Sequence, residues 1–241
     1  MVYNIAYGTG SPGAAHKRLF TTHRYLRTGC IHFDLITEFI KKANPDVIGL
    51  VEADTGSFRT GNVNQVSSLA RELKHFHICD TKYGIDSPGR QIPILRNHAN
   101  AILSAQKETD STFHFFPNGV KKLIIEAEID GVIFFIVHLS LRRQTRAMQF
   151  EHLMKIVPKD CPVVIAGDFN TYGGEQELWL LKKTLKLRNA NVLTAPTYPA
   201  WKPKHQLDFI LCSEELEVMS FEIPLVEFSD HLPLIVDFRK K

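Results

Sequence analysis

This sequence predicts a mixed α/β (α+β) fold in which mixed β-sheets are covered by helices. Two observations carry that expectation. Short apolar runs of strand length alternate, from end to end, with stretches whose apolar residues recur at helical spacing. The run "KKLIIEAEIDGVIFFIVHL" also sets two β-rich segments on either side of Asp130-Gly131, a dipeptide that tolerates the positive φ of a tight hairpin turn. Hairpins therefore mix with strand–helix–strand units.

Residues 2–7 read as a short first strand, and 8–29 as a long connection rich in Gly, Thr and basic residues. Phe33, Ile36, Phe39, Ile40 and Ala43 share one face of a helix over 31–43. Asn44-Pro45 ends it, because proline cannot continue a helix and restricts the residue before it. "DVIGLVE" follows as a buried strand ending on Glu52. Val66, Leu69, Ala70 and Leu73 mark a second helix, "FHICD" a strand, 80–97 a second long loop, and "NHANAILSA" another strand. After the hairpin, whose second run ends on His138, the residues Phe150, Leu153, Met154 and Val157 mark a helix. "VVIA" is a strand that Gly167 releases into Asp168 and Asn170; 175–187 reads as helix; "QLDFILCS", "EVMSFEI" and "PLIVDF" are late strands. With no linker, repeat or low-complexity tract, 1–241 reads as a single domain.

A net charge of +3 suits an anionic substrate without demanding nucleic acid. The four cysteines, Cys30, Cys79, Cys161 and Cys212, form no CxxC pair, which argues against a disulfide framework or a zinc site and for a reducing compartment. No secretory leader and no run of membrane-spanning length is visible, so the expected location is cytoplasmic.

Polar residues recur within or at the ends of apolar strands: Asn4, Glu52, Asn100, His138, Asp168 with Asn170, Asp208, and the pair Asp230-His231. Singly, each has an ordinary explanation as a turn cap or a satisfied structural residue. Asp208 stands apart, because a carboxylate inside an apolar strand is unfavourable unless paired, and His231 is the candidate partner. There is no serine or cysteine nucleophile paired with a base and no Gly-rich phosphate loop with a lysine. Carboxylate and amide oxygens suit a hard cation, Mg²⁺ or Mn²⁺, and histidines and asparagines can donate to phosphate oxygens. That inventory fits metal-assisted attack of water on a phosphoester.

The order "YNI", "VIGLVE", "NAILS", "VHLS", "GDFN", "LDFILCS", "SDHLPL" resembles the endonuclease/exonuclease/phosphatase superfamily, of deoxyribonuclease I-like fold, over nearly the whole chain. The resemblance implies a four-layer sandwich of two face-to-face mixed β-sheets flanked by helices, with a site where these strand ends converge. It implies Glu52 as the main metal ligand with Asn4 beside it and Asp230 near the metal. His138 and Asn170 would contact the scissile phosphate, Asp168 would orient or deprotonate the attacking water, and Asp208 would hold the ring of His231. Whether His231 is base, acid or phosphate-binding cation stays open. Two departures matter. Ala6 stands where some members carry an acid, and "VHLS" argues against an abasic-site nuclease. The expected substrate is a phosphoester: nucleic acid, with a phospholipid headgroup or inositol phosphate as the alternative. A non-catalytic binding module is disfavoured, because every expected position but that of Ala6 is filled.

Loops around a shared site choose the substrate in such folds. The 8–29 loop carries His16, Lys17, Arg18, His23, Arg24 and Arg27, and 80–97 carries Lys82, Arg90 and Arg96; either could meet a phosphate-rich ligand or an anionic surface. Asn100, Arg142, Arg143 and Arg146 are candidates for substrate contact at the site mouth, and Tyr7, Tyr83, Phe169, Tyr172 and Trp201 for stacking on bases. No obligate protein partner is indicated.

Overall fold

The computed structural model describes residues 1–10, 30–83, 91–120 and 122–241. The basic side chains His16, Lys17, Arg18, His23, Arg24, Arg27 and Arg90 lie outside the described residues. Two large mixed sheets dominate. In the first, β1 (Val2–Asn4) runs parallel to β2 (Val47–Asp54), which pairs antiparallel with β4 (His98–Ser104), and β4 pairs with β3 (Phe76–Thr81). The second has the order β5 (Asp110–Phe115), β6 (Leu123–Ile129), β7 (Val132–His138), β8 (Val163–Asp168), β10 (Asp208–Ser213), β9 (Leu187–Asn189). Only β7 and β8 are parallel there. A separate antiparallel ribbon joins β11 (Leu216–Glu222) and β12 (Ile235–Lys240). The helices are α1 (Cys30–Ala43), α2 (Gln65–Leu73), α3 (Arg143–Ile156) and α4 (Trp179–Thr184). No helix among the described residues is long and apolar enough to cross a membrane.

Strand periodicity sorts the apolar residues into three interfaces, and these define four layers. Val51 and Ile102 of the first sheet pack between the sheets against Ile136, Val164, Ala166 and Ile210 of the second. Their chain neighbours face outward. Ile48, Leu50 and Leu103 meet Phe33, Ile36 and Ile40 of α1 and Val66 and Leu69 of α2. On the far side Phe135, Val137, Ile165 and Phe209 meet Phe150 and Leu153 of α3 and Leu181 of α4. Each such buried side chain contributes about 1.5–3 kcal/mol. Strands covered on both faces must be apolar almost throughout, which is why "VVIA" and "VIFFIV" lack polar alternation.

The structure corrects several element boundaries. β1 stops at Asn4, because Ala6 (φ 43°) and Tyr7 (φ 57°) turn the chain into a short 3₁₀ segment, Ala6–Gly8. The 175–187 helix is split into a 3₁₀ turn, Glu175–Leu178, and α4, after which Lys186 (φ 51°) turns into β9. Gly167 does not form the strand exit. It lies inside β8 at φ 143°, where an added Cβ would stand 1.9 Å from the Val137 carbonyl oxygen. Its missing side chain is what lets β8 approach β7 at the row that carries the site.

Candidate active site

Three site residues are register partners. Asp168 lies opposite His138 on β7 and opposite Asp208 on β10, so a His–Asp–Asp row crosses three adjacent strands at one end of the second sheet. All three are buried. Sheet pairing thus collects residues that are 30 and 40 positions apart in sequence from Asp168. The first sheet supplies the facing half. Asn4 ends β1, and its Nδ2 donates to Asp168 Oδ2 at 3.1 Å across the sandwich.

Glu52 is aimed by a bulge. The β2–β4 register shifts between Leu50 and Ala53, and Glu52 adopts φ 58°, a conformation that an L-residue enters at a cost of about 1–3 kcal/mol. The Asn100 side-chain oxygen accepts from the Glu52 backbone N–H at 3.3 Å. Asn100 therefore supports Glu52, while its own Nδ2 is buried without a partner among the described residues.

Lys82 is the residue that sequence reading misplaced. It follows β3 directly, is 2% exposed, and belongs to the site interior rather than to a solvated loop. Its Nζ donates to the Tyr7 hydroxyl at 2.9 Å and to Glu52 Oε1 at 3.3 Å, and lies 3.3 Å from His138 Nδ1. The Tyr7 ring stacks on His98 at 4.0 Å and carries the Arg59 guanidinium 4.3 Å from its centroid. Arg59 is itself paired to buried Asp54 at 2.7 Å. Burial and the facing Glu52 keep the Tyr7 hydroxyl protonated, pushing it well above the usual phenol range. Tyr7 is thus a wall of the site and, like the fully buried Phe169, offers no exposed ring for a base.

Asp168 is the hub. Besides Asn4, its Oδ2 has His138 Nε2 at 3.2 Å and His231 Nε2 at 3.9 Å, and its Oδ1 accepts from the Asn170 backbone N–H at 3.0 Å. Asn170 lies beyond β8 at φ 54°, so simple strand alternation does not orient it; its Nδ2 donates to the Leu139 carbonyl. Beside the hub, Asp208 Oδ2 accepts from the Thr197 hydroxyl at 2.6 Å and lies 2.8 Å from His231 Nδ1. Burial opposes a charge on His231, but Asp208, Asp168 and Asp230 outweigh it and hold the imidazolium well above the usual histidine range. Burial raises Asp208, with His231 pulling against the rise. Asp230, half-buried, is raised by burial and by the nearby charges of Glu52 and Asp168.

Asp168, Asp208 and His231 put ligand atoms within 4.8 Å of one another. Glu52, partly exposed and 3.7 Å from His138 Nδ1, and half-buried Asp230, which feels the charges of Glu52 and Asp168, add two carboxylates beside buried Asp168 and Asp208. Their mutual repulsion and oxygen chemistry fit a hard divalent cation. The arginines behave differently. Arg146 is 2% exposed, and its guanidinium donates to the Ser140 and Leu141 carbonyls and to Glu177 Oε2, bracing the loop after His138. Arg142 and Arg143 are exposed on that loop and the start of α3.

A family model described as Endonuclease/Exonuclease/phosphatase family matches residues 1–231. A comparison with curated protein sequences finds no match. Among solved structures, the chain is similar to an endonuclease/exonuclease/phosphatase from Beutenbergia cavernae (TM-score 0.75, 19% identity, 99% of this chain and 70% of that one). It is also similar to the human nocturnin catalytic domain with bound sulfate (TM-score 0.70, 23% identity, 100% and 93%). A mannosyl-6-phosphatase from Bacteroides thetaiotaomicron is a third neighbour (TM-score 0.65, 13% identity, 99% and 98%). At these identities the likeness is one of fold.

Proposed function

The chain belongs to the endonuclease/exonuclease/phosphatase family, and from that premise we propose that it is a divalent-metal-dependent phosphodiesterase that directs water onto phosphorus. The observation that carries the reading is the Asp168 hub, a carboxylate oriented by side chains from both sheets and flanked by the Asp208–His231 pair.

Glu52, Asn4 and Asp230, with Asp168 beside them, are the residues that would hold Mg²⁺ or Mn²⁺. When bound, such an ion polarises the phosphoryl oxygens and lowers the pKa of water. The rest falls to the chain. Asp168, fixed by Asn4 and by the Asn170 backbone, orients the attacking water and takes its proton. Asp208 engages His231 Nδ1, which leaves Nε2 turned toward the reacting corner, 3.9 Å from Asp168. Held as imidazolium, His231 donates to a phosphate oxygen as charge builds there. Lys82 supplies the positive wall, its Nζ 3.3 Å from His138 Nδ1, and the second N–H of the Asn170 amide, whose first donates to Leu139, would meet a non-bridging oxygen.

Hydrolysis of bis(p-nitrophenyl) phosphate by the purified chain tests this. Turnover with Mg²⁺ or Mn²⁺ should vanish in chelator and in Glu52→Ala. Undiminished turnover in either condition removes the proposal. Lipid and inositol-phosphate substrates are the alternative within the same chemistry.

A further inference from the structure

The wall beside His231 is aromatic and reaches solvent. The Tyr198 ring lies 4.8 Å from the His231 ring. Tyr172 stands 6.5 Å from Tyr198 at 84°, and His205 lies 5.3 Å from Tyr172. Tyr172 is 47% exposed although it begins only two residues after Asn170, whose carbonyl accepts from the Tyr172 N–H.

The wall is also rigidly tied to the site. Tyr198 and His205 pair across a tight hairpin. That hairpin is bonded to the loop carrying the catalytic histidine, by Ala200 N–H to the Asp230 carbonyl at 2.8 Å and Leu232 N–H to the Thr197 carbonyl at 2.9 Å. Its Thr197 hydroxyl holds Asp208. Exposed Lys202 and Lys204 occupy the hairpin tip. At its foot the side-chain amide of Gln206, 8% exposed, has neither its nitrogen nor its oxygen paired among the described residues.

Aromatic rings beginning beside the His231 ring, with two cations at the hairpin tip and a buried amide at its foot, are the parts that take a planar base attached to a phosphodiester. An inositol ring would need hydroxyl-pairing side chains in place of the rings. A choline headgroup would meet the like charges of the exposed Lys202 and Lys204. Resting on the phosphodiesterase reading, we infer that Tyr172, Tyr198 and His205 form a platform that stacks a nucleobase beside the scissile phosphate, which makes single-stranded nucleic acid the substrate class.

The test measures binding of the whole chain in chelator, so that turnover plays no part. Fluorescence anisotropy compares a labelled thymidine hexamer with an abasic hexamer of equal length. The expected result is tighter binding of the base-bearing strand, lost by on the order of tenfold in Tyr172→Ala and restored in Tyr172→Phe. Equal affinity for both strands in the unaltered chain, or an undiminished preference in Tyr172→Ala, overturns the inference. So does displacement of the hexamer by sphingomyelin vesicles and not by unlabelled hexamer. Turnover of bis(p-nitrophenyl) phosphate, assayed separately with metal, tells failure of the platform from failure of the phosphodiesterase reading.

Discussion

Replacing Asp208 by asparagine keeps the side chain's shape and removes its charge. Asp208 is 2% exposed, and its Oδ2 meets both the Thr197 hydroxyl at 2.6 Å and His231 Nδ1 at 2.8 Å. In Asp208→Asn the imidazole loses its main counter-charge and its enforced orientation. Two unit charges about 4 Å apart at an effective dielectric of about 20 interact by about 4 kcal/mol. The loss of an orienting aspartate in hydrolytic triads lowers kcat by about 10⁴-fold. With about 1.4 kcal/mol for each factor of ten, the Coulomb figure corresponds to about 10³-fold, so kcat should fall by about 10³- to 10⁴-fold. The assay is kcat and KM on bis(p-nitrophenyl) phosphate, with circular dichroism to confirm folding. Because the two side chains act as a unit, His231→Ala combined with Asp208→Asn should cost little more than His231→Ala alone. A kcat within threefold of the unaltered chain, or fully additive losses in the double variant, would refute the pairing argument.

Two further substitutions probe the frame. Lys82→Met keeps the buried stem but deletes the ammonium beside Glu52 and His138, so kcat/KM should drop on the order of 10²-fold with the fold intact; a change within experimental error would remove Lys82 from the positive wall. Gly167→Ala forces a Cβ to within 1.9 Å of the Val137 oxygen at a φ of 143°, which should cost about 3 kcal/mol or more and lower Tm by about 10 °C; an unchanged Tm in a thermal melt would contradict the close approach of β7 and β8.

The layers were legible because strands buried on both faces must be apolar throughout, as "VIFFIV" and "VVIA" are, and because Asp130-Gly131 marks its own hairpin. β5 escaped notice as an exposed edge: Thr112, Phe113 and Phe115 line no core, so no burial pattern marks them. β9 is three residues long and begins at a backbone reversal on Lys186 that no composition signals. In the site, the pairing of Asp208 with His231 followed from the cost of an unpaired acid inside an apolar strand, and the two side chains do meet. Lys82 could not be found that way. In sequence it is one more cation after a strand, and only the packing of β3 and β4 against Tyr7 buries it beside Glu52. Arg146 fails in the opposite sense: its place near His138 suggested substrate, but Glu177, 31 residues on, occupies its guanidinium. Tertiary partners decide both cases, and local sequence does not encode them.

The central claim is that water attacks phosphorus at the Asp168 hub. Hydrolysis of a dialkyl phosphate diester in ¹⁸O-labelled water, with Mg²⁺ present, tests it most directly. The account predicts one labelled oxygen in the phosphomonoester product, none in the released alcohol, and loss of the reaction in Asp168→Asn. Label in the alcohol, or undiminished reaction in Asp168→Asn, would contradict it.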